Sequence, residues 1–285
     1  GAANDIAWGG WSQKDKAVLK WSQRAAAFAE ELIANDGGSE EYRFRVATRT
    51  LAAVVGVKGG IDPKLYAEDA VRVGDVLISR SNDPLQKRQL QSDLGMAMFN
   101  AMQIAQARKD NTTALAYGKK TAEYMEAAIE QGLDNPTTHY LLGRLYFRVG
   151  AIHALEKKDH KAAIPWFDKS VGLLSQPFPD ELKAELGRHG ETFVSMGVSY
   201  WATGEKEKAL ELTKVGLVLM KEAVENGILK KSSLAVPYQN LAAMQRSMGD
   251  GKAADEYEQQ AKSVSTNQTT QNSTARKAAK KVVKR

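Results

Sequence analysis

Cysteine is missing from the 285-residue chain altogether, which excludes disulfide frameworks, thiolate zinc sites and thiol nucleophiles together. Long apolar runs are missing as well. The longest strongly apolar stretch, Leu51 to Val57, is far short of the roughly 18 residues that a membrane span needs. No stretch alternates apolar and polar residues between turn signals, the mark of a half-buried strand. The equipment for common chemistry is also absent. His139, His153, His160 and His189 form neither an H-E-x-x-H arrangement nor an i, i+4 pair that would bring two imidazoles together on one helix. Gly56-Val57-Lys58-Gly59-Gly60 and Gly118-Lys119-Lys120-Thr121 lack the full spacing of a phosphate loop. There is no G-x-S-x-G elbow and no dinucleotide fingerprint. The carboxylates of Glu40-Glu41 and of Glu205 with Glu207 fall at expected helix starts, where the helix dipole favours negative charge. These absences lead to the expectation of a non-enzymatic protein with no metal and no cofactor.

What remains is the composition of a soluble globular protein, 43% apolar and 26% charged, long enough to bury a core without staples. The formal charge of +6 suggests a polyanionic partner until it is located. Arg276, Lys277, Lys280, Lys281, Lys284 and Arg285 account for all of it, since the other 34 basic residues equal the 34 acidic ones. Ser265 to Thr274 is Ser, Thr, Asn and Gln throughout, with no apolar residue, a composition too polar to offset its chain entropy. The expectation is a disordered linker carrying a basic end. That end either solubilises the chain or contacts nucleic acid, an anionic membrane or an acidic protein.

Apolar residues recur at helical spacing almost everywhere else, so the fold class expected is all-α. Asp62-Pro63, Asp83-Pro84 and Asn135-Pro136 each place a capping side chain before a proline, a helix-start signal. Gly- and Asn-rich breaks mark the other boundaries. Helices are predicted near 12–34, 39–56, 63–80, 84–108, 112–131, 136–157, 160–175, 180–203, 205–226, 231–248 and 251–264.

These helices repeat. Met196-Gly197, Tyr200, Gly204 and Ala209 recur 45 residues later as Leu241-Ala242, Gln245, Gly249 and Ala254. Small residues at matched places on two helices report a close crossing. A third copy begins at Leu142-Gly143, Tyr146 and Gly150 and resumes at Ala163 and Phe167 with eight extra residues between. A fourth runs from Leu94-Gly95 and Met98 to Ala114 with seven extra.

The pattern resembles the tetratricopeptide repeat (TPR) family, with His139 to Tyr146 followed by Lys161 to Phe167 as its best match. The resemblance covers roughly residues 86–264. It departs where the first two copies are lengthened, where Gln245 replaces an aromatic, and where Thr213 and Glu258 stand in place of Phe167. It implies an α-solenoid of stacked antiparallel helical hairpins, a right-handed superhelix that holds a protein or peptide partner in a concave groove lined by first helices. The organisation expected is non-consensus hairpins over 1–83, repeats over 84–264 and the basic tail over 265–285. Trp8, Trp11 and Trp21 either cap the open end of the stack or meet a partner.

With Leu142, Leu145 and Val149 turned inward, Arg144 and Arg148 stand one turn apart on another face, and Tyr140 one turn earlier. Two guanidiniums so spaced can grip a carboxylate or phosphate, or be solvated and paired to neighbouring acids. Asn100, Gln103, Trp201, Gln239 and Asn240 occupy comparable places. The family's chaperone-tail clamp uses Asn and Lys, with an Asn directly after the small residue. Met96, Arg144, Val198 and Ala243 stand there, so a different peptide or protein is implied. Gly1 in place of methionine fits an exported product whose leader has been removed, or a start set by cloning. Asn111, Asn267 and Asn272 head sequons that matter only in a glycosylating host.

Overall fold

The computed structural model describes residues 40–55 and 62–265, with scattered helical positions between 20 and 31. Trp8, Trp11 and the basic tail lie outside the described residues. Trp21 is half-buried, with the Arg24 guanidinium 5.0 Å from its ring centre. Every regular element among the described residues is helical: α1 Glu40–Val54, α2 Lys64–Arg80, α3 Pro84–Ala107, α4 Asn111–Glu130, α5 Pro136–Ala151, α6 His160–Leu174, α7 Leu186–Thr203, α8 Lys206–Glu225, α9 Ala235–Ser247 and α10 over 251–265. A π-helical turn, Ile152–Glu156, extends α5, and 3₁₀ turns precede α7 and α9. The all-α expectation holds, and no described helix is long and apolar enough to cross a membrane.

The start signals act as the sequence foretells. Asp83 accepts from Leu85 N–H at 2.9 Å with Pro84 opening the helix, and Asn135 accepts from Thr138 N–H at 2.9 Å. Asp62 likewise accepts from Lys64 N–H at 3.0 Å. The four turns that join α3 to α4, α5 to α6, α7 to α8 and α9 to α10 share one construction. A residue in left-handed conformation, Lys109, Lys158, Gly204 or Gly249, is followed by an acidic residue whose N–H returns to a carbonyl of the preceding helix. Asp110, Asp159 and Asp250 then cap the next helix by accepting from Thr113, Ala162 and Ala253 N–H. Glu205 makes no such bond, because its longer side chain does not fold back to the first turn. Glu205→Asp is therefore expected to stabilise the protein by about 1 kcal/mol, read as a higher urea midpoint at unchanged slope.

The described residues form two compact units, those up to 152 with 172–174 making the first, and 153–171 with those from 175 onward the second. In the first, Phe44, Leu51, Val73, Leu94 and Met98 build a core between α1, α2 and α3. Small residues let these helices approach: a Cβ on Gly74 would lie 2.7 Å from Leu94 Cδ1 and 2.9 Å from the Phe44 ring. In the second, Val194, Leu217, Met220, Tyr238 and Leu241 build the corresponding core.

Glycines mark the crossings, though not always against the expected partner. A Cβ on Gly197 would lie 2.9 Å from Ala209 O and would also strike Thr213 Oγ1, as the repeat alignment implies. Gly95 and Gly143 do not oppose Ala114 and Ala163. Gly95 packs on Met125 near Thr121, and Gly143 packs on Leu173 and Leu174. The reason is geometric. In an antiparallel hairpin, each residue added before the turn moves the facing position two residues onward, one for each strand of the hairpin. Seven extra residues before the turn therefore turn the offsets of 12 and 16 seen from Gly197 into the 26 and 30 seen from Gly95.

Tyrosines, Tyr146 and Tyr200 of the repeat among them, serve as ties between helices. In the first unit Tyr146 on α5 donates its phenol to Glu126 on α4, and Tyr124 donates to Asp75 at 2.8 Å. In the second, Tyr200 donates to Asp168 at 2.8 Å, while Lys208 Nζ meets the same oxygen at 2.6 Å and lies 4.3 Å from the centre of the Tyr200 ring. Burial, and then the bonded carboxylate, raises the Tyr146 and Tyr200 phenols far above their ordinary range.

Candidate functional site

A first helix in such an array is buried against its own second helix and against the preceding hairpin, which leaves a narrow outer strip for solvent. In the first unit the strips of α1 and α3 border a cleft of about 440 Å³. Glu41, Arg45 and Arg49 line it from α1, and Asp93, Met96 and Asn100 from α3. Arg45 is exposed and Arg49 half-buried. The two guanidiniums share a face because four residues separate them on α1. Opposite, partial burial raises the Asp93 carboxyl above its ordinary value, a shift that the Gln89 amide limits by donating to it at 2.9 Å.

The other flank of α3 meets α5. Arg148 donates to Gln106 Oε1 at 3.1 Å and its guanidinium lies 5.5 Å from the centre of the Phe99 ring. Arg144 is half-buried, 5.7 Å from the Phe147 ring centre. These are cation–π distances. Phe99 and Asn100 are neighbours in sequence, so α3 presents one residue to the arginine shelf and the next to the cleft.

Of the residues that the sequence nominates, Asn100, Arg144 and Arg148 fall in this unit on first helices. Tyr140 is a correction. Only 6% of it is exposed, so it belongs to the packed face of α5 and not to an open groove. The buried arc of α5 extends over more than half its circumference, and the phenol ring lies at its edge, where an apolar body favours burial. Trp201, Gln239 and Asn240 belong to the second unit. Trp201 is half-buried with Lys206 Nζ 5.5 Å from its ring centre, Gln239 is exposed and Asn240 half-buried. Arg45 and Arg49 escape the repeat-based reading because α1 lies before the recognisable copies, and Asp93 because it precedes Leu94-Gly95, where the fourth copy begins. A signal was available, since Arg45-x-x-x-Arg49 has the spacing of Arg144-x-x-x-Arg148. Among the described residues no group of three or more His, Asp or Glu is placed to hold a metal ion.

No known protein family and no curated protein matches the sequence. Solved structures do match. BtubC (BKLC) from P. vanneervenii superposes with a TM-score of 0.50 at 14% identity, covering 88% of this chain and 91% of its own. Aspartyl phosphate phosphatase F from Bacillus subtilis gives 0.49 at 13%, covering 91% and 68%. The TPR-like repeats of a Podosopora anserina kinesin light chain give 0.41 at 14%, covering 80% and 95%. The fold is a TPR-like array of helical hairpins, of the helical-solenoid class. At such identities the likeness concerns the fold alone.

Proposed function

We propose that this chain is a non-enzymatic scaffold that holds a protein or peptide partner against the first helices of its hairpins. The observation that carries the reading is the cleft between α1 and α3, flanked by Arg144 and Arg148 across α3. Arg148 is positioned before any partner arrives, by Gln106 and by the Phe99 ring, which reduces the ordering that binding would require. Asn100 borders the same cleft, and Trp201, Gln239 and Asn240 extend the reading to the second unit.

The test is quantitative affinity capture from a native extract with wild type and with Arg144→Ala/Arg148→Ala. Capture of a defined set of proteins that falls about tenfold or more in the variant supports the site, since truncated Arg anchors cost about 2 kcal/mol. An unchanged set removes these two residues from it. The location of the net charge favours a second contact through Arg276, Lys277, Lys280, Lys281, Lys284 and Arg285 with nucleic acid or anionic membrane. Replacing those six by Gln in the same experiment should abolish any salt-sensitive binding of that kind and leave groove-dependent capture intact.

A further inference from the structure

The charge of the first unit is divided between its two layers. Its first helices, α1, α3 and α5, carry seven basic residues against three acidic, and α5 has no acidic residue at all. Its second helices, α2 and α4, carry five basic against six acidic. Within the fold Arg43 pairs with Asp69 at 3.0 Å, and Arg80 of α2 with Glu40. Toward the cleft and the shelf stand Arg45, Arg49, Arg144 and Arg148, with Glu41 and Asp93 as the acidic residues of the cleft wall. A chain whose residues 1–264 are neutral by count thus gathers guanidiniums on one layer of one unit.

The geometry points to an acidic, extended peptide segment as the ligand of this face, held by Arg45 and Arg49 on one side of α3 and by Arg144 and Arg148 on the other. The inference rests on the scaffold reading above and gives its partner a chemistry. Guanidinium forks match carboxylates in shape and charge, and paired arginines one turn apart suit successive acidic side chains. The strip of α3 from Asp93 to Gln106 is about 20 Å long, the span of roughly six extended residues. Met96 and Phe99 lie along it as apolar contacts for residues between the acids. Glu41 and Asp93 bias recognition toward one register, because an acidic side chain placed beside them is repelled.

Fluorescence anisotropy with a labelled ten-residue peptide of alternating Glu and Leu tests this, using the full-length protein, with its Gln/Leu counterpart as control. The expected result is saturable binding to the Glu peptide, at least about tenfold weaker for the Gln peptide, and weakened by salt. Arg45→Glu/Arg144→Glu should lose about tenfold or more in affinity, with helical circular dichroism unchanged because both side chains reach the surface. Arg45→Gln/Arg144→Gln should fall between that variant and wild type. Equal binding of both peptides, or undiminished binding by the charge-reversed variant, overturns the proposal. Binding abolished only by the six Gln substitutions in the tail assigns the acidic peptide to the tail and overturns it too. If the peptide fails while captured proteins still depend on Arg144 and Arg148, the scaffold survives and the acidic specificity falls. If the captured set is also unchanged, the scaffold site falls with it.

Discussion

Gly216→Leu is expected to destabilise the protein by about 3 kcal/mol or more, and Gly216→Ala by about 1–3. A Cβ at Gly216 would lie 2.6 Å from Gly190 O and 2.9 Å from Val194 N, and a Cβ at Gly190 would lie 2.7 Å from Gly216 O. The obstacles are backbone atoms on both sides, so no rotamer change relieves the clash and α7 and α8 must separate. Separation opens gaps around Phe193 and Met220, both almost fully buried. The informative control is Gly172→Ala on α6, where an added Cβ meets nothing within 4 Å and the position is exposed. There the same change removes backbone freedom only, and should stabilise by about 0.5–1 kcal/mol. Chemical denaturation of the three variants is the measurement. A Gly216→Ala protein as stable as wild type would contradict the close crossing.

Tyr200→Ala should destabilise by about 3–5 kcal/mol, as for a large aromatic removed from a packed core. Tyr200 is fully buried and its ring lies 6.5 Å from that of Phe167. Tyr200→Phe separates packing from the hydrogen bond to Asp168 and should cost about 1–3 kcal/mol, a bond to a charged acceptor. The pair also has a pH signature at both ends. Burial opposes ionisation of Asp168, but the bonds from Lys208 and Tyr200 outweigh it and hold its carboxyl below the usual range. A carboxylate with a depressed folded pKa contributes stability that is present above its unfolded value and lost as pH falls through the folded one. The Tyr200 phenol is shifted the other way, first by burial and then by Asp168. Its contribution is complete below the unfolded tyrosine value near 10 and is lost as pH rises beyond it. Stability measured against pH should therefore lose part of its acid slope in Asp168→Asn and part of its alkaline slope in Tyr200→Phe. Unaltered slopes in both would contradict the pair.

Helix boundaries were legible because capping residues and prolines act locally. Asp83, Asp110 and Asn135 need only the N–H groups two or three residues on. The crossing at Gly197 and Ala209 was legible for a related reason, as both residues lie near one turn. The partners of Gly95 and Gly143 were not, because they depend on where the chain reverses and not on the residues aligned. The crossing of Gly190 with Gly216 was missed although both glycines are in the sequence, since no other copy repeats the pair. On the candidate face, arginine spacing was legible and the depth of each side chain was not. Arg144 and Tyr140 are four residues apart, yet the first reaches the surface and the second is packed, because the edge of the buried arc falls between them.

The lengthened hairpins also show what increments the architecture accepts. Seven residues make nearly two whole turns of α-helix, within about 20° of closing, so a helix that grows by seven keeps the same face toward its neighbour. The stretch from Gly95 to the turn at Lys109 is seven longer than that from Gly197 to Gly204, and it remains regular helix. The stretch from Gly143 to Lys158 is eight longer. One surplus residue would rotate everything beyond it by about 100°. The π-helical turn at Ile152–Glu156, whose hydrogen bonds skip one residue more than those of an α-helix, takes up that surplus. It lets Ile152 and Ala154 remain buried while Leu155 turns outward. The wide turn thus acts as a phase corrector for the one residue by which this insertion exceeds seven.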